Sequence, residues 1–143
     1  MTELCYRGGS KPQGDEPGMT ATTPHLDETA LPALASRYVS VPALPWERTQ
    51  WAGVEMKILL RDEATGLMTA LVRMQPGATL PLHEHTDIEQ TYVLEGSLAD
   101  DEGEVRAGDY VWRPKGNRHV AHAPNGALVL SFFLSPNRFL GEA

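Results

Sequence analysis

Residues 77–96 read GATLPLHEHTDIEQTYVLEG, and two of the chain's five histidines stand there, two positions apart. Side chains of an extended strand alternate between its faces, so His83 and His85 project together and Glu84 points the other way. Glu89 follows His85 after Thr86, Asp87 and Ile88, and a tight turn there returns it beside the histidines as the next strand begins. Two imidazoles and a carboxylate presented this way are a minimal facial set for a divalent metal. A fourth donor has to come from another strand, and the remaining histidines are His25, His119 and His122. His25 belongs to a polar leader. His119 follows RPKGNR, a Pro/Gly turn after a strand, and His122 falls on the opposite face from His119.

The rest of the chain is written in the same idiom. VEMKILL, LMTALVRM, TLPLHEH, EQTYVLEGSLAD, DEGEV, AGDYVWRPKG, NRHVAHAPNG and ALVLSFFL are short runs rich in Val, Leu, Thr, Tyr and Phe. They are separated by Gly, Pro, Asn and Asp, and such segments are strands. The PNG before ALVLSFFL and the DEG of the acidic loop are tight-turn signals. At least seven strands at this spacing predict an all-β closed barrel or two-sheet sandwich. The one helical expectation is a single turn near LPALASRYV. Residues 1–35 are rich in Gly, Pro, Ser and Thr with few large apolar side chains, and read as a flexible polar N-terminal extension before a folded domain at 36–143. Length alone, 143 residues, favours a single core.

Charge narrows the partners. Nineteen acids against twelve bases leave a net charge of −7, which argues against nucleic acid and anionic membranes. No apolar run approaches the roughly 18 residues of a membrane span, and no secretory signal is visible, so the expected location is the cytoplasm. The lone Cys5 reads as a free surface thiol in a reducing compartment.

The glycine-framed spacing also carries a family resemblance. Gly77, His83, His85, Glu89 and Gly96 resemble the first conserved motif of the cupins at every position. Gly108, Pro114, Gly116 and His119 resemble the second, with Ala123 where that motif closes on Asn. The two motifs and their link cover residues 77–123, and the flanking strands extend the likeness to about 100 residues. What the resemblance implies is a small jelly-roll (cupin) β-barrel holding one divalent metal ion per chain through His83, His85, Glu89 and His119. Within the superfamily the chain looks like two groups. One comprises single-domain Fe(II) dioxygenases that cleave carbon–carbon bonds of β-diketones and hydroxyacetophenones, some of which rely on three histidines alone. The other is the cupin half of zinc-binding anti-sigma factors, whose helical partner domain this chain lacks the length and cysteines to supply.

These readings set the functional expectations. The leading one is a metal-dependent enzyme, a non-haem Fe(II) dioxygenase acting on a small-molecule diketone or hydroxyaryl ketone and O2, with Zn, Mn or Ni as other metals. A zinc-binding sensor or regulatory cupin and a Lewis-acid isomerase are the alternatives, because one fold hosts many functions. Arg118, adjacent to His119, is the candidate catalytic residue for an anionic or enolate oxygen. Val93, Leu130 and Phe132 are expected to line the pocket. The DDEGE loop, Asp100 to Glu104, reads as a solvated hairpin tip. The strand of Tyr92 and Leu94 is apolar on both faces, so its outer face needs a cover: the segment of Trp46 and Trp51, or a second subunit in a homodimer.

Overall fold

The computed structural model describes residues 20–141. Eleven strands form one antiparallel sheet that curls on itself, and among the described residues the helical element is a single 3-10 turn at Val41–Ala43. Among the described residues no helix is long and apolar enough to cross a membrane. The strands are β1 (Ala21–Thr22), β2 (Glu47–Arg48), β3 (Val54–Asp62), β4 (Met68–Met74), β5 (Thr79–Glu84), β6 (Glu89–Ala99), β7 (Glu104–Arg106), β8 (Tyr110–Arg113), β9 (Arg118–His122), β10 (Ala127–Phe133) and β11 (Arg138–Phe139). One half of the curl runs β1-β3-β4-β10-β6-β8; the other comprises β11, β5, β9, the end of β6, and β7.

Alternation along the strands builds the core. On β4, Ala70, Val72 and Met74 are buried while Leu71 and Arg73 face outward. Val93 of β6 and Val129 of β10 are paired neighbours, and both join that cluster. Burying such side chains contributes about 1.5–3 kcal/mol each, which is why a period of two in an apolar sequence settles the face of every strand.

Strand β6 belongs to both halves. Its first part pairs with β8 and β10, and its last residues pair with β7 and β9. The register against β10 slips between Leu128 and Val129, leaving Leu94 as the extra residue. Gly96 follows with φ +71°, and a Cβ built there would stand 2.0 Å from the Gly126 carbonyl oxygen. Only glycine lets the two backbones approach so closely at a left-handed residue.

Several expectations change in the folded chain. Residues 20–23, assigned to the flexible extension, are tied to the barrel edge: Ala21 and Thr22 pair with Asp62 and Arg61, and the buried Thr23 donates to the Leu59 carbonyl at 2.7 Å. An edge strand with free backbone groups is the physical reason, since it offers hydrogen bonds to a polar segment that cannot bury a core of its own. Residues 1–19 of the extension, Cys5 among them, lie outside the described residues. LPALASRYV forms isolated turns, with the 3-10 turn just after it. Leu130 and Phe132 face outward, because the β10 register sets them beside Tyr92 and Gln90; Val129, Ser131 and Phe133 line the interior. Trp46 covers the outer face of β3 and β4, stacked 4.0 Å from the Arg73 guanidinium and 4.9 Å from the Lys57 ammonium. Trp51 packs instead on Phe139, 4.2 Å between ring centroids.

Gly96→Ala is expected to cost about 4 kcal/mol in denaturant unfolding, or to prevent folding, because backbone must move. Gly108→Ala, where φ is +91° but the added methyl meets open space, should cost only about 1–2 kcal/mol. Equal losses at the two glycines would contradict the close-approach argument.

Candidate metal centre

The register between β5 and β9 assembles the site. It sets His83 directly opposite His119 and Glu84 directly opposite Arg118, so the imidazoles share the inner face and the charged pair the outer one. His85 stands just past the end of β5, where its backbone NH donates to the Asn117 carbonyl at 2.8 Å and its carbonyl accepts from Gly116 NH at 2.8 Å. The Pro/Gly turn before His119 is thereby tied to the chain that carries His85. All three imidazoles are buried, with ring centroids 4.5 Å apart for His83 and His119 and 5.0 Å for each with His85. A nitrogen of each lies within 4.8 Å of the others, a grouping that could hold a metal ion.

Two of the rings are fixed by a partner behind them. His83 Nδ1 lies 2.7 Å from the Pro81 carbonyl, which can only accept, so Nδ1 carries the proton and Nε2 keeps a free lone pair. His119 Nδ1 lies 2.8 Å from Asp100 Oδ2, which likewise leaves its Nε2 free. His85 differs. Its Nε2 is buried without a partner, and its Nδ1 lies 2.7 Å from Glu89 Oε2 without the alignment a hydrogen bond needs. A buried imidazole with both nitrogens unbonded is costly in a protein interior. The neutral donor set and this unpartnered ring fit a borderline divalent cation such as Fe(II) or Zn(II).

Glu89 opens β6 beside the cluster and outside the three-imidazole grouping. Thr91 donates to it at 3.1 Å and Asn137 at 3.4 Å. Burial works to raise its pKa, but the contact with His85 and these two donors outweigh burial and hold the carboxylate below its ordinary range. His83 and His119 are held neutral. Burial above all, with help from His85, lowers His83 against the opposing Pro81 carbonyl. Burial and the Arg113 charge press His119 down to about 4, against the pull of Asp100.

Arg118 does not reach this interior. Its side chain is 57 % exposed and lies 3.4 Å from Glu84, which Arg138 also holds. The cause is strand parity: the register that brings His119 to His83 turns Arg118 outward with Glu84. His25 pairs with Glu47 at 3.1 Å, far along the chain from the cluster, and His122 is exposed.

Sequence reasoning missed Asp100, Arg113 and Asn137. Asp100 is not a solvated loop residue; its side chain is 4 % exposed, accepts from His119 and forms an ion pair with Arg113 at 2.9 Å. Its parity is opposite to that of Glu89, Thr91 and Val93, and the extra residue Leu94 is what brings both sets inside. No signal in the sequence marks that slip except Gly96. Arg113 could have been found from its pairing parity with Val111, since both line the interior. Asn137 lies beyond the recognisable motifs.

A cavity of about 50 Å³ lies against His83, Glu89, Arg113 and His119. A second chamber of about 220 Å³, lined by Trp51, Met56, Met68, Phe139 and other apolar side chains, shares Val72, Leu80, Phe133 and Asn137 with the first.

A curled antiparallel barrel with a buried histidine cluster on neighbouring strands is the architecture of a cupin. The chain belongs to the ChrR cupin-like domain family, whose model matches residues 35–136. No curated protein matches it. Among solved structures it resembles an acetylacetone dioxygenase from Acinetobacter johnsonii at 18 % identity, covering 76 % of this chain and 80 % of that one with a TM-score of 0.69. A putative acetylacetone dioxygenase from Methylibium petroleiphilum PM1 matches at 19 % identity over 76 % and 83 % of the two chains, also with a TM-score of 0.69. At that identity the likeness is one of fold. The Rhodobacter sphaeroides complex of SigE with the anti-sigma ChrR matches at 25 % identity, covering 65 % of this chain and 50 % of that one, with a TM-score of 0.56.

The depressed His119 pKa has a measurable consequence in metal-free protein. The unfolded imidazole takes up its proton near 6.5 and the folded one near 4, so stability is lost as pH falls between those values. The expected loss from His119 between pH 7 and 4 is on the order of 3 kcal/mol, and His83 adds to it with the same sign. Denaturant unfolding of His119→Gln should show a correspondingly shallower slope. Unchanged stability of the parent protein from pH 7 to 5 would contradict the neutral-imidazole cluster.

Proposed function

We propose that this protein is a metal-dependent cupin acting as a non-haem Fe(II) dioxygenase that cleaves a carbon–carbon bond in a small β-diketone or hydroxyaryl ketone. The observation that carries the proposal is the buried cluster of three imidazoles beside a small cavity that shares part of its lining with an apolar chamber. His83, His85 and His119 would hold the ion, and Glu89 supplies the carboxylate beside them. Bound there, Fe(II) supplies a Lewis-acidic centre that favours the enolate of a 1,3-dicarbonyl and a redox partner for O2. Dioxygenation of a β-diketone that keeps both oxygen atoms gives a carboxylic acid and a dicarbonyl fragment, so it balances without an added reductant.

The chain's own residues supply what such a substrate needs. Val72, Leu80 and Phe133 line both cavities, so a shift of these side chains would let an alkyl or aryl end rest among Trp51, Met56 and Phe139 while the polar end faces the imidazoles. A chamber of about 220 Å³ is below the roughly 300–1,000 Å³ of sites for drug-sized ligands, which favours a small ketone. No charged side chain lines it, which disfavours an anionic tail.

The second reading is a zinc-binding regulatory cupin, favoured by the family to which the chain belongs. The coordination number separates the two. Three imidazoles and Glu89 would close a four-coordinate zinc site, whereas six-coordinate iron keeps positions open for substrate and O2. We also propose a homodimer. Tyr92, Leu94, Tyr110, Trp112 and Phe132 share the outer face of β6, β8 and β10, each 40–56 % exposed, an apolar patch on the order of several hundred Å². Trp46 covers the other end of that face and leaves this end free.

Protein produced with iron and zinc both supplied is expected to retain one equivalent of iron and to take up O2 with a panel of β-diketones and aryl hydroxyketones. His83→Ala combined with His119→Ala should abolish both. Tightly held zinc and no O2 uptake with any panel member would overturn the dioxygenase in favour of the regulatory reading. Light scattering should give twice the monomer mass, reduced to the monomer in Tyr92→Lys/Trp112→Asp; a parent protein already monomeric at micromolar concentration would contradict the homodimer.

A further inference from the structure

The acidic hairpin between β6 and β7 is built into the metal centre. Asp100 sits at its base, 4 % exposed, in a loop whose other acids are solvated. Its Oδ1 accepts from the backbone NH of Glu102 at 2.9 Å and of Gly103 at 3.1 Å, which closes the turn and fixes the carboxylate plane. Its Oδ2 faces inward, accepts from His119 Nδ1 at 2.8 Å and forms an ion pair with the Arg113 guanidinium at 2.9 Å. Arg113, 11 % exposed, also reaches Glu102 at 3.4 Å, and Asn117 Nδ2 donates to the same Glu102 oxygen at 3.3 Å. Asn117 in turn accepts the His85 backbone NH. One turn of chain therefore touches the side chain of one histidine and the backbone neighbour of another.

We propose that Asp100 is the positioning residue of the metal centre: it fixes the His119 tautomer and ring so that Nε2 faces His83 and His85, with Arg113 holding the carboxylate in place. A carboxylate can only accept, so the Nδ1 of His119 must donate and Nε2 is left with its lone pair inward. An anionic acceptor behind an imidazole also strengthens the ring as a donor, and loss of such a partner typically weakens metal affinity 10–100-fold. Arg113 answers the remaining problem, since a buried carboxylate with a neutral partner alone would be poorly compensated. Glu102 provides the internal comparison. It shares Arg113 with Asp100 and accepts from Asn117 but makes no contact with a histidine, so the two acids separate the positioning role from other contacts of the same hairpin. This inference rests on the proposed metal centre for its functional sense, while the orientation of His119 can be read without metal.

Two readouts on the full chain test it, with Asp100→Asn, Asp100→Ala and Glu102→Gln. In metal-free protein, nitrogen-15 shifts of the ring should show His119 as the Nδ1–H tautomer in the parent, in Asp100→Asn, whose amide oxygen still accepts, and in Glu102→Gln. In Asp100→Ala the preference should be lost. Co(II) affinity by chelator competition should fall about tenfold in Asp100→Asn and up to 100-fold in Asp100→Ala, with altered visible absorption, and stay within twofold in Glu102→Gln. An unchanged tautomer and unchanged Co(II) affinity in Asp100→Ala would overturn the positioning role. If the tautomer changes as expected but the parent protein binds no Co(II), the orientation stands and the metal reading falls.

Discussion

Three imidazoles packed ring against ring in the interior of the barrel are the constraint on which the rest depends. Burial favours the neutral forms of His83 and His119 and presses their pKa values down. Neutral rings still need partners, and the chain supplies them selectively. Pro81 and Asp100 each take one ring nitrogen from behind, while the opposite nitrogens and both nitrogens of His85 are left without a hydrogen bond. A core that spends so much polarity on groups it does not satisfy is organised around something that binds there. That is the physical sense in which the histidines define a site rather than a packing solution.

The backbone makes this arrangement possible through register. The pairing of β5 with β9 sorts four side chains at once, His83 with His119 inside and Glu84 with Arg118 outside. A slip of one residue would exchange the two sets and empty the site. The turn from Pro114 to Asn117 is anchored to His85 by two backbone hydrogen bonds, so strand ends that could drift are held where the three imidazoles converge. The bulge in β6 does similar work on the other side, placing Glu89 and Thr91 before it and Asp100 after it against one interior.

Much of this was legible in the residues. His83 and His85 share a face because they are two apart, and the Pro/Gly turn before His119 foretold its delivery to them. The all-β class followed from short alternating runs between turn residues. Parity failed where the strands were apolar on both sides or slipped. Leu130 and Phe132 looked as suited to a pocket as Val129 and Phe133, and only pairing with Tyr92 and Gln90 turns them outward. Asp100 looked like part of a solvated acidic tip because the extra residue that reverses its side is invisible without the partner strand. Arg118 attracted attention as the neighbour of His119, but neighbours in a strand point apart. The buried guanidinium near the site is that of Arg113.

Family membership and structural likeness bound the function without choosing it, since the same barrel occurs in proteins described as dioxygenases and in an anti-sigma complex. The account turns on whether one divalent ion is held by the buried imidazoles. X-ray absorption of the Fe(II)-loaded protein tests this most directly. A light-atom first shell with the multiple scattering of about three imidazoles is the predicted result, lost in His83→Ala/His119→Ala. An all-oxygen shell without imidazole scattering would place the ion elsewhere and contradict the assignment.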